Sequence, residues 1–365
     1  MQDNVFVSRV EKLRKALGVG GFDGAVIVPG PNMRYFTGVN SLLLERPFML
    51  LVPREGELQL VAPTLEAGPY GDSPVEMKVH SWTDSEGWDG AIGKAAKLLK
   101  PRGRWGVEGR VPYLFLHRLM KHAGPKFDDA EQVLQGLREV KDSTEAALLK
   151  KAAKILSSSF ERFPEIIGEG ATELELARRA TELIYANGAT KVEDVLVQSG
   201  ARAADPHGLP TSKKVRRGEG IIFDISSTFE GYYADITRTF CLGSSGELRR
   251  VYDEVLEAER AGIRAAVSRG RVGDVDRAAR SRLARAGLGK YFIHRTGHGL
   301  GLEVHEAPYM VEGGKEKVSD GMCFTVEPGA YIRGKLGVRI EDDVLMEGGK
   351  GIEITSPPKD YGWWA

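Results

Sequence analysis

One segment near the middle of the chain, residues 220–241 (GIIFDISSTFEGYYADITRTFC), restricts the possible folds more than any other. Apolar and β-branched residues flank Glu230-Gly231 on both sides, which is the pattern of a β-hairpin with a short turn. With the turn at these residues, Asp224 faces Thr237 across the hairpin. Asp235 then lies diagonally opposite Asp224 on the same face, at a backbone separation of about 7–8 Å.

Two carboxylates that share one strand face repel each other unless they are protonated or bridged by a cation. A solvated strand face is the simpler interpretation of either aspartate taken alone. Four further residues with metal-ligand chemistry follow along the chain, and together they favour a cation site: His298, His305, Glu327 and Glu341.

The composition is that of a globular protein without a charged surface suited to nucleic acid or to a membrane. A chain of 365 residues is too long for one ordinary hydrophobic core, so its length predicts two domains. Lysine plus arginine and aspartate plus glutamate both number 51, so no global field favours polyanions. Cys241 and Cys323 lie in apolar strand-like runs and are expected to be buried free thiols. Because we find neither a signal-peptide pattern nor an apolar run of membrane-spanning length, we expect a cytoplasmic protein.

The N-terminal part of the chain alternates strand and helix patterns, which predicts an α/β domain with a buried sheet. Residues 8–11 (SRVE) have the pattern of a capping box, and we expect them to open a helix with the apolar stripe Val10, Leu13 and Leu17. The histidines of this part are scattered and are expected to be structural or exposed: His80, His117 and His122.

From about residue 135 the pattern changes to a helix pair followed by acidic strands, and this order occurs twice. Capping boxes at residues 142–145 and 172–175 open the first two helices. The second pair is predicted over about residues 247–269 and 274–286. The last third, from His294 onwards, has the pattern of antiparallel strands joined by glycine-rich turns.

The residues with ligand chemistry in this last third lie in short, distinctive motifs. His298 is flanked by alternating glycines in TGHGLG, which allow close backbone packing, and Glu327 lies in FTVEPG just before a proline. In GVRIEDDVL, alternation places Glu341 and Asp343 on one strand face and Asp342 on the other, so the pattern alone leaves the ligand open.

Four carboxylates and one imidazole suit two hard or borderline divalent cations better than a metal that prefers thiolates. The charges also balance, since four carboxylates neutralise two divalent ions. Two such ions would make water acidic enough to act as a nucleophile at neutral pH and would polarise a carbonyl group.

The motifs FDISSTFEGYYADITRTF, TGHGLGLEVHEAP, FTVEPGAY and GVRIEDDVL resemble those of the pitta-bread metallopeptidases, in the branch of aminopeptidase P and prolidase. The resemblance covers nearly the whole chain. It implies a small creatinase-like N-terminal α/β domain, residues 1–134, and a pitta-bread catalytic domain, residues 135–365, with a curved antiparallel sheet covered by helices. It also implies a homodimer and two divalent metal ions, for which we expect Mn²⁺, with Co²⁺ or Zn²⁺ as alternatives.

The same resemblance assigns roles to individual residues. The implied metal ligands are Asp224, Asp235, His298, Glu327 and Glu341, with Asp235 and Glu341 bridging the two ions. Among the catalytic residues it implies, Glu327 carries the proton, His207 and His305 contact the scissile bond, and Arg339 supports the metal carboxylates.

The activity that the resemblance implies is hydrolysis of the bond between an N-terminal residue and a following proline. Two positions depart from the family pattern, because Ser226 replaces a frequent glycine and Tyr309 replaces an arginine of many dipeptide-cleaving relatives. A dipeptidase must bind the free carboxylate of proline, for which arginine is suited. Tyr309 therefore predicts an aminopeptidase P-like preference for Xaa-Pro-Yaa peptides.

Two alternatives remain open at this point. One is a prolidase restricted to Xaa-Pro dipeptides, in which Arg333, Lys335 or Arg339 supplies the cation from another strand. The other is a non-catalytic pitta-bread binding protein, although such proteins usually lack some metal ligands and all five are present here.

Overall fold

A computed structural model of the chain describes residues 5–122 and 124–360. The chain forms two compact units, Met1–Arg138 and Glu139–Ala365. The predicted division into residues 1–134 and 135–365 stays a prediction, and its boundary lies inside a helix that ends at Arg138. None of the described helices is long and apolar enough to cross a membrane.

The first unit is built on a six-stranded mixed sheet. Its strands are β1 (Gly24–Ile27), β2 (Met49–Pro53), β3 (Leu58–Pro63), β4 (Met77–Trp82), β5 (Arg104–Val107) and β6 (Lys126–Asp129). They lie in the order β4-β3-β2-β1-β5-β6. Every residue of β1 and β2 is buried, as expected for the centre of a sheet covered on both faces.

Six helices accompany this sheet: α1 (Val5–Val19), α2 (Pro31–Thr37), α3 (Thr64–Gly71), α4 (Asp89–Ala95), α5 (Tyr113–His122) and α6 (Glu131–Arg138). The predicted apolar stripe of α1 is buried, but the prediction that Ser8 opens this helix is wrong, because α1 already begins at Val5. The extra turn is held by a contact between the guanidinium of Arg9 and the ring of Phe6, whose centroid is 5.6 Å away.

The second unit contains two helix pairs, as predicted: α7 (Ser143–Phe160), α8 (Glu173–Ala186), α9 (Gly246–Ala265) and α10 (Val272–Arg285). Both predicted capping boxes are confirmed. At α7 the side chain of Asp142 accepts from the backbone of Glu145 while the Glu145 side chain accepts from that of Asp142, and Thr172 and Glu175 form the same reciprocal pair at α8.

The strands of the second unit pair antiparallel throughout the described residues. They are β7 (Lys191–Ser199), β8 (Gly220–Phe229), β9 (Tyr232–Cys241), β10 (Gly297–Gly299), β11 (Glu306–Met310), β12 (Cys323–Val326), β13 (Gly329–Ile332), β14 (Leu336–Arg339), β15 (Asp342–Glu347) and β16 (Lys350–Glu353). They form one sheet in the order β7-β8-β9, one in the order β11-β10-β12-β15-β16, and the hairpin β13-β14. A bridge between Thr237 and Glu341 joins β9 to the segment before β15.

The helices α7 and α8 pack on one side of the β8-β9 hairpin, and on its other side Ile222 packs against Tyr331 of β13. Phe160 of α7 and Leu176 of α8 share a fully buried cluster with Phe223 and Ile225 of β8. Each such side chain contributes about 1.5–3 kcal/mol through burial of its apolar surface. Because side chains alternate along a strand, Asp224 projects to the face opposite this core.

Candidate active site

The β8-β9 hairpin has the register predicted from its sequence. Asp224 pairs with Thr237, and Ser226 pairs with Asp235, so the two aspartates are diagonal neighbours on one face. This face is not a solvated strand surface. Asp235 is buried, and both aspartates line a cavity within the second unit.

The cavity has a volume of about 660 Å³. It contains every metal-ligand and catalytic residue predicted from the sequence, and these residues come from four strands and four loops. The lining residues are Asp194, Leu196, Pro206, His207, Asp224, Asp235, His294, Arg295, His298, Val304, His305, Glu327, Arg339 and Glu341.

The tightest group of potential ligands in the cavity is buried. One ligand atom from each of Asp235, His298 and Glu341 lies within 4.8 Å of the other two. Nε2 of His298 is 3.3 Å from Oε1 of Glu327, which places this carboxylate against the same group. Asp224 lines the same cavity and forms an ion pair with Arg339.

The structure resolves which acidic residue of GVRIEDDVL faces the cavity. Strand β14 ends at Arg339 and β15 begins at Asp342, so simple alternation does not continue through residues 340–341. Glu341 instead bonds to β9, because its backbone N–H donates to the Thr237 carbonyl at 3.1 Å and its Oε2 accepts from the Thr237 hydroxyl at 2.5 Å.

The two aspartates after Glu341 have structural partners. Arg238 donates to Asp342 at 2.9 Å, and both side chains are fully buried. Oδ2 of Asp343 accepts from the backbone N–H of Asp235 at 3.1 Å. Neither residue lines the cavity, so Glu341 is the acid of this motif that is available to a ligand.

The glycines around His298 allow β10 to approach its neighbours. A Cβ atom on Gly297 would lie 1.9 Å from the carbonyl oxygen of Thr325, and one on Gly299 would lie 2.2 Å from that of Ala307. Both distances are far below van der Waals contact, so only glycine fits. The backbone N–H of His298 donates to the hydroxyl of Thr325 at 3.1 Å, which fixes the histidine beside β12.

Burial shifts the proton affinities of this group strongly. It raises the pKa of Asp235 and of Glu341 well above the usual carboxylate range, and neighbouring carboxylates add to the increase. It raises the pKa of Glu327 to about 8, against the opposing charge of Arg339. Burial, with some repulsion from His305, lowers the pKa of His298 to about 3, so its imidazole is neutral at physiological pH.

These residues fit a pair of divalent cations. Oδ1 of Asp235 is a buried atom without a hydrogen-bond partner in the described part of the chain, which is costly unless a ligand satisfies it. The carboxylates need positive charge to ionise together in a buried group, and a neutral imidazole is the form that binds metals. Oxygen-rich ligand sets of this kind suit Mn²⁺ and similar ions.

Arg339 is held in place by several partners around Asp224. Its guanidinium pairs with Asp224 and donates to the hydroxyls of Tyr331 at 2.7 Å and Thr237 at 3.1 Å. The Tyr331 hydroxyl also lies 2.8 Å from Nε2 of His294, and burial lowers the pKa of that histidine to about 4. Arg339 therefore fixes the carboxylate of Asp224 at the cavity wall, and its hydrogen-bonding capacity is largely used.

The two predicted histidines outside the metal cluster both line the cavity and are exposed. The ring centroids of His305 and His298 are 4.1 Å apart. Partial desolvation by the surrounding cavity wall lowers the pKa of His305, with Arg295 adding to the decrease, while the carboxylates of Asp194 and Asp224 oppose it. The positions of His207 and His305 suit hydrogen bonding to a substrate carbonyl.

Sequence analysis missed four residues of the site: Asp194, His294, Tyr331 and Arg295. The guanidinium of Arg295 lies 4.5 Å from the centroid of the Tyr309 ring. Arg295 directly precedes the TGHGLG motif in the sequence, and this position could have indicated that it belongs to the site. Tyr331 is the last residue of the motif FTVEPGAY, so it also had a usable signal, whereas Asp194 lay in an ordinary strand pattern and had none.

The chain matches the profile described as "Metallopeptidase family M24" over residues 147–347 and the "Creatinase/Prolidase N-terminal domain" over residues 9–140. A probable dipeptidase PepE from Mycobacterium bovis is 34% identical over 361 residues, which cover 98% of this chain and 96% of that protein.

Two solved structures are also similar to the chain. A recombinant prolidase from Thermococcus sibiricus is 37% identical with a TM-score of 0.93, and the match covers 98% of each chain. An X-Pro aminopeptidase from Thermotoga maritima is 29% identical with a TM-score of 0.82, covering 95% of this chain and 99% of the other. These matches confirm the predicted fold, a creatinase-like domain followed by a pitta-bread domain.

Proposed function

We propose that this chain, which belongs to metallopeptidase family M24, is a metal-dependent Xaa-Pro dipeptidase of the prolidase type. The chain is a metallo-exopeptidase, as predicted. Its substrates on this proposal are dipeptides with an N-terminal residue followed by a C-terminal proline. The observation that carries the dipeptide preference is the guanidinium of Arg295 in the cavity.

Arg295 is suited to bind a free carboxylate. It is half-buried, its guanidinium packs over Tyr309, and no carboxylate forms an ion pair with it among residues 5–122 and 124–360. Its charge acts on His298, His305 and Glu327, so it lies close to the metal cluster. A fork of N–H donors held by an aromatic ring supplies charge-assisted bonds to a carboxylate with little loss of side-chain entropy.

The other cations considered from the sequence are less suitable. Arg339 already serves Asp224, Tyr331 and Thr237. Arg333 and Lys335 do not line the cavity, and Lys335 lies 3.8 Å from Glu247 in an exposed ion pair.

The predicted aminopeptidase P-like preference rested on the missing charge at Tyr309. In the fold the ring of Tyr309 packs against the guanidinium of Arg295, so a positive charge is present at this position after all. The names of the similar proteins, a probable dipeptidase and a prolidase, also favour the dipeptidase alternative. The similarity to an X-Pro aminopeptidase keeps longer peptides as the competing substrate class.

The residues that would hold two divalent ions are Asp224, Asp235, His298, Glu327 and Glu341. We expect Mn²⁺, with Co²⁺ or Zn²⁺ as alternatives. When bound, the ions would activate water and polarise the scissile carbonyl group.

The remaining steps use the chain's own side chains. Glu327, in the ionised form, accepts the proton of the attacking water and passes it to the leaving proline nitrogen. His207 and His305 donate hydrogen bonds to the substrate carbonyl oxygens as negative charge develops. Arg339 holds Asp224 in position. A cytoplasmic location and a homodimeric assembly remain further proposals that rest on the sequence.

The test compares kcat/KM for Ala-Pro and Ala-Pro-Ala in the presence of Mn²⁺. We expect the dipeptide to be preferred by at least about tenfold. Replacing Arg295 by methionine should lower kcat/KM for Ala-Pro by about 10- to 100-fold, the value of a hydrogen bond to a charged group. The same change should affect Ala-Pro-Ala by only about threefold, since that substrate has an amide at this point.

The matched control is Arg333→Met, which removes an exposed cation outside the cavity and should change neither rate. A preference of the wild-type protein for Ala-Pro-Ala would refute the dipeptidase proposal. Equal losses on both substrates in the Arg295 variant would show that Arg295 supports the metal cluster and does not recognise the carboxylate.

A further inference from the structure

A fifth acidic residue lines the cavity, and the proposed metal site does not use it. Four of the five acids in the cavity wall are Asp224, Asp235, Glu327 and Glu341. The fifth, Asp194, comes from β7 and is exposed, whereas Asp235 and Glu341 are buried. Its position and its exposure set it apart from the metal cluster.

The local backbone directs Asp194 into the cavity. The pairing of β7 with β8 shifts register between Glu193 and Leu196, which marks a β-bulge, and Asp194 has the left-handed φ of 48°. Bulges change the direction of a side chain, and aspartate is among the few residues that tolerate left-handed φ. The preceding residue is anchored, because Ser226 donates to the Glu193 carbonyl at 3.3 Å and the Tyr233 hydroxyl donates to the Glu193 carboxylate.

The charges in the cavity leave Asp194 without a counter-ion. Two divalent cations would neutralise the four carboxylates of the metal set, and Arg339 already pairs with Asp224. Asp194 has no hydrogen-bond or ion-pair partner within the described part of the chain. It nevertheless lies close enough to His305 to act on that imidazole electrostatically. A cation that binds in the cavity beside His305 therefore has Asp194 as its available partner.

We propose that Asp194 determines substrate binding by pairing with a protonated amine on the residue N-terminal to the scissile bond. The amine is either the α-ammonium group or a basic side chain of that residue. This inference rests on the proposed exopeptidase function, whose substrates carry a free amino terminus. Together with Arg295, Asp194 equips the cavity for both charges of a zwitterionic dipeptide.

The experiment measures KM and kcat of Asp194→Asn on Ala-Pro, Lys-Pro and Glu-Pro with Mn²⁺. Asparagine keeps the size of the side chain and tolerates left-handed φ, so the bulge is retained. We expect KM to rise about fivefold, the upper range for an exposed ion pair, with kcat within about twofold of wild type. An equal rise in KM on all three substrates would show that Asp194 binds the α-ammonium group. A higher KM for Lys-Pro together with a lower KM for Glu-Pro would show that it binds the side chain.

The control is Glu230→Gln, which removes an exposed carboxylate from another left-handed position, in the β8-β9 turn outside the cavity. It should leave KM unchanged. Changes below twofold in KM on all three substrates would overturn the proposal. A fall in kcat without a rise in KM would also overturn it, because it would show that Asp194 acts through His305 and not on the substrate amine.

The role of Asp194 can be tested independently of the proposed dipeptidase function. If the wild-type protein prefers Ala-Pro-Ala, the dipeptidase proposal fails, but the N-terminal residue of that substrate is the same. Asp194→Asn should then raise KM for Ala-Pro-Ala by a similar factor, and an unchanged KM there would refute the role of Asp194 independently.

Discussion

Replacing Lys359 by methionine tests a buried ionic network around Asp342, which follows the cavity residue Glu341 in sequence. Nζ of Lys359 lies 2.6 Å from Glu259, 2.7 Å from Asp342 and 2.5 Å from Glu353. The side chains of Glu259 and Asp342 are fully buried, whereas that of Glu353 is 40% exposed. Asp342 keeps Arg238 as a partner in the variant, but Glu259 loses its cation.

The expected loss follows from burial. Removing one partner of a buried ion pair costs about 3–5 kcal/mol, and the exposed contact with Glu353 adds at most about 1 kcal/mol. For a unit of this size, about 4 kcal/mol corresponds to a decrease of roughly 10 °C in melting temperature.

The loss should depend on pH. Burial raises the pKa of Glu259 to about 8 even beside Lys359, from about 4.3 in an unfolded chain. A carboxyl with a raised folded-state pKa binds more protons in the folded state between these values, so its contribution to stability is present below about pH 4.3 and is lost as pH rises through about 8. Without Lys359 the pKa rises further, and the deficit of the variant should be smaller at pH 5 than at pH 8.

Differential scanning calorimetry at pH 5 and pH 8 measures both effects. Lys150→Met is the matched control, since the ion pair of Lys150 with Glu347 is exposed and its loss should shift the melting temperature by less than about 2 °C. Adding Glu259→Gln to Lys359→Met should restore part of the loss, because no unpaired charge then remains at that position. A single variant that melts like the control, or a double variant with no recovery, would refute this reasoning.

Three other predictions concern the metal and the catalytic groups. Exhaustive chelation should abolish activity and lower the melting temperature, and Mn²⁺ should restore both; full activity in protein shown to be metal-free would contradict a metal-dependent mechanism. Glu327→Gln should lower kcat by at least about 100-fold with a much smaller change in KM, measured by steady-state kinetics. His305→Ala should keep its metal and lose turnover, whereas His298→Ala should lose metal by elemental analysis; the opposite result would reverse the two assignments.

Local sequence determined the geometry of the hairpin at the centre of the site. The turn at Glu230-Gly231 places Asp224 opposite Thr237, and the period of two along a strand then puts Asp235 on the same face. The capping boxes at Asp142 and Thr172 were predictable for the same reason. In each case the interacting residues are close in sequence, so the pattern contains the whole interaction.

The acidic run after Arg339 shows where local pattern fails. Alternation assumed one continuous strand, but the chain changes sheets between β14 and β15, and Glu341 bonds to Thr237 of β9. Only the resemblance to a known family selected Glu341 before the fold was considered. The error at Ser8 has a related cause, because a contact made by Phe6 extends α1 beyond the capping signal.

The sequence by itself thus determined the hairpin register and the chemistry of the candidate ligands, since these depend on short-range periodicity and on residue type, while the domain types followed from the resemblance to a known family. The tertiary structure decided that Tyr309 packs against Arg295 and that a bulge in β7 brings Asp194 to the cavity wall, and it placed Glu341 rather than Asp343 in that wall, as the resemblance had implied. These facts depend on contacts between strands that are distant along the chain. Their geometry is set by packing of the whole unit, and no local pattern records it.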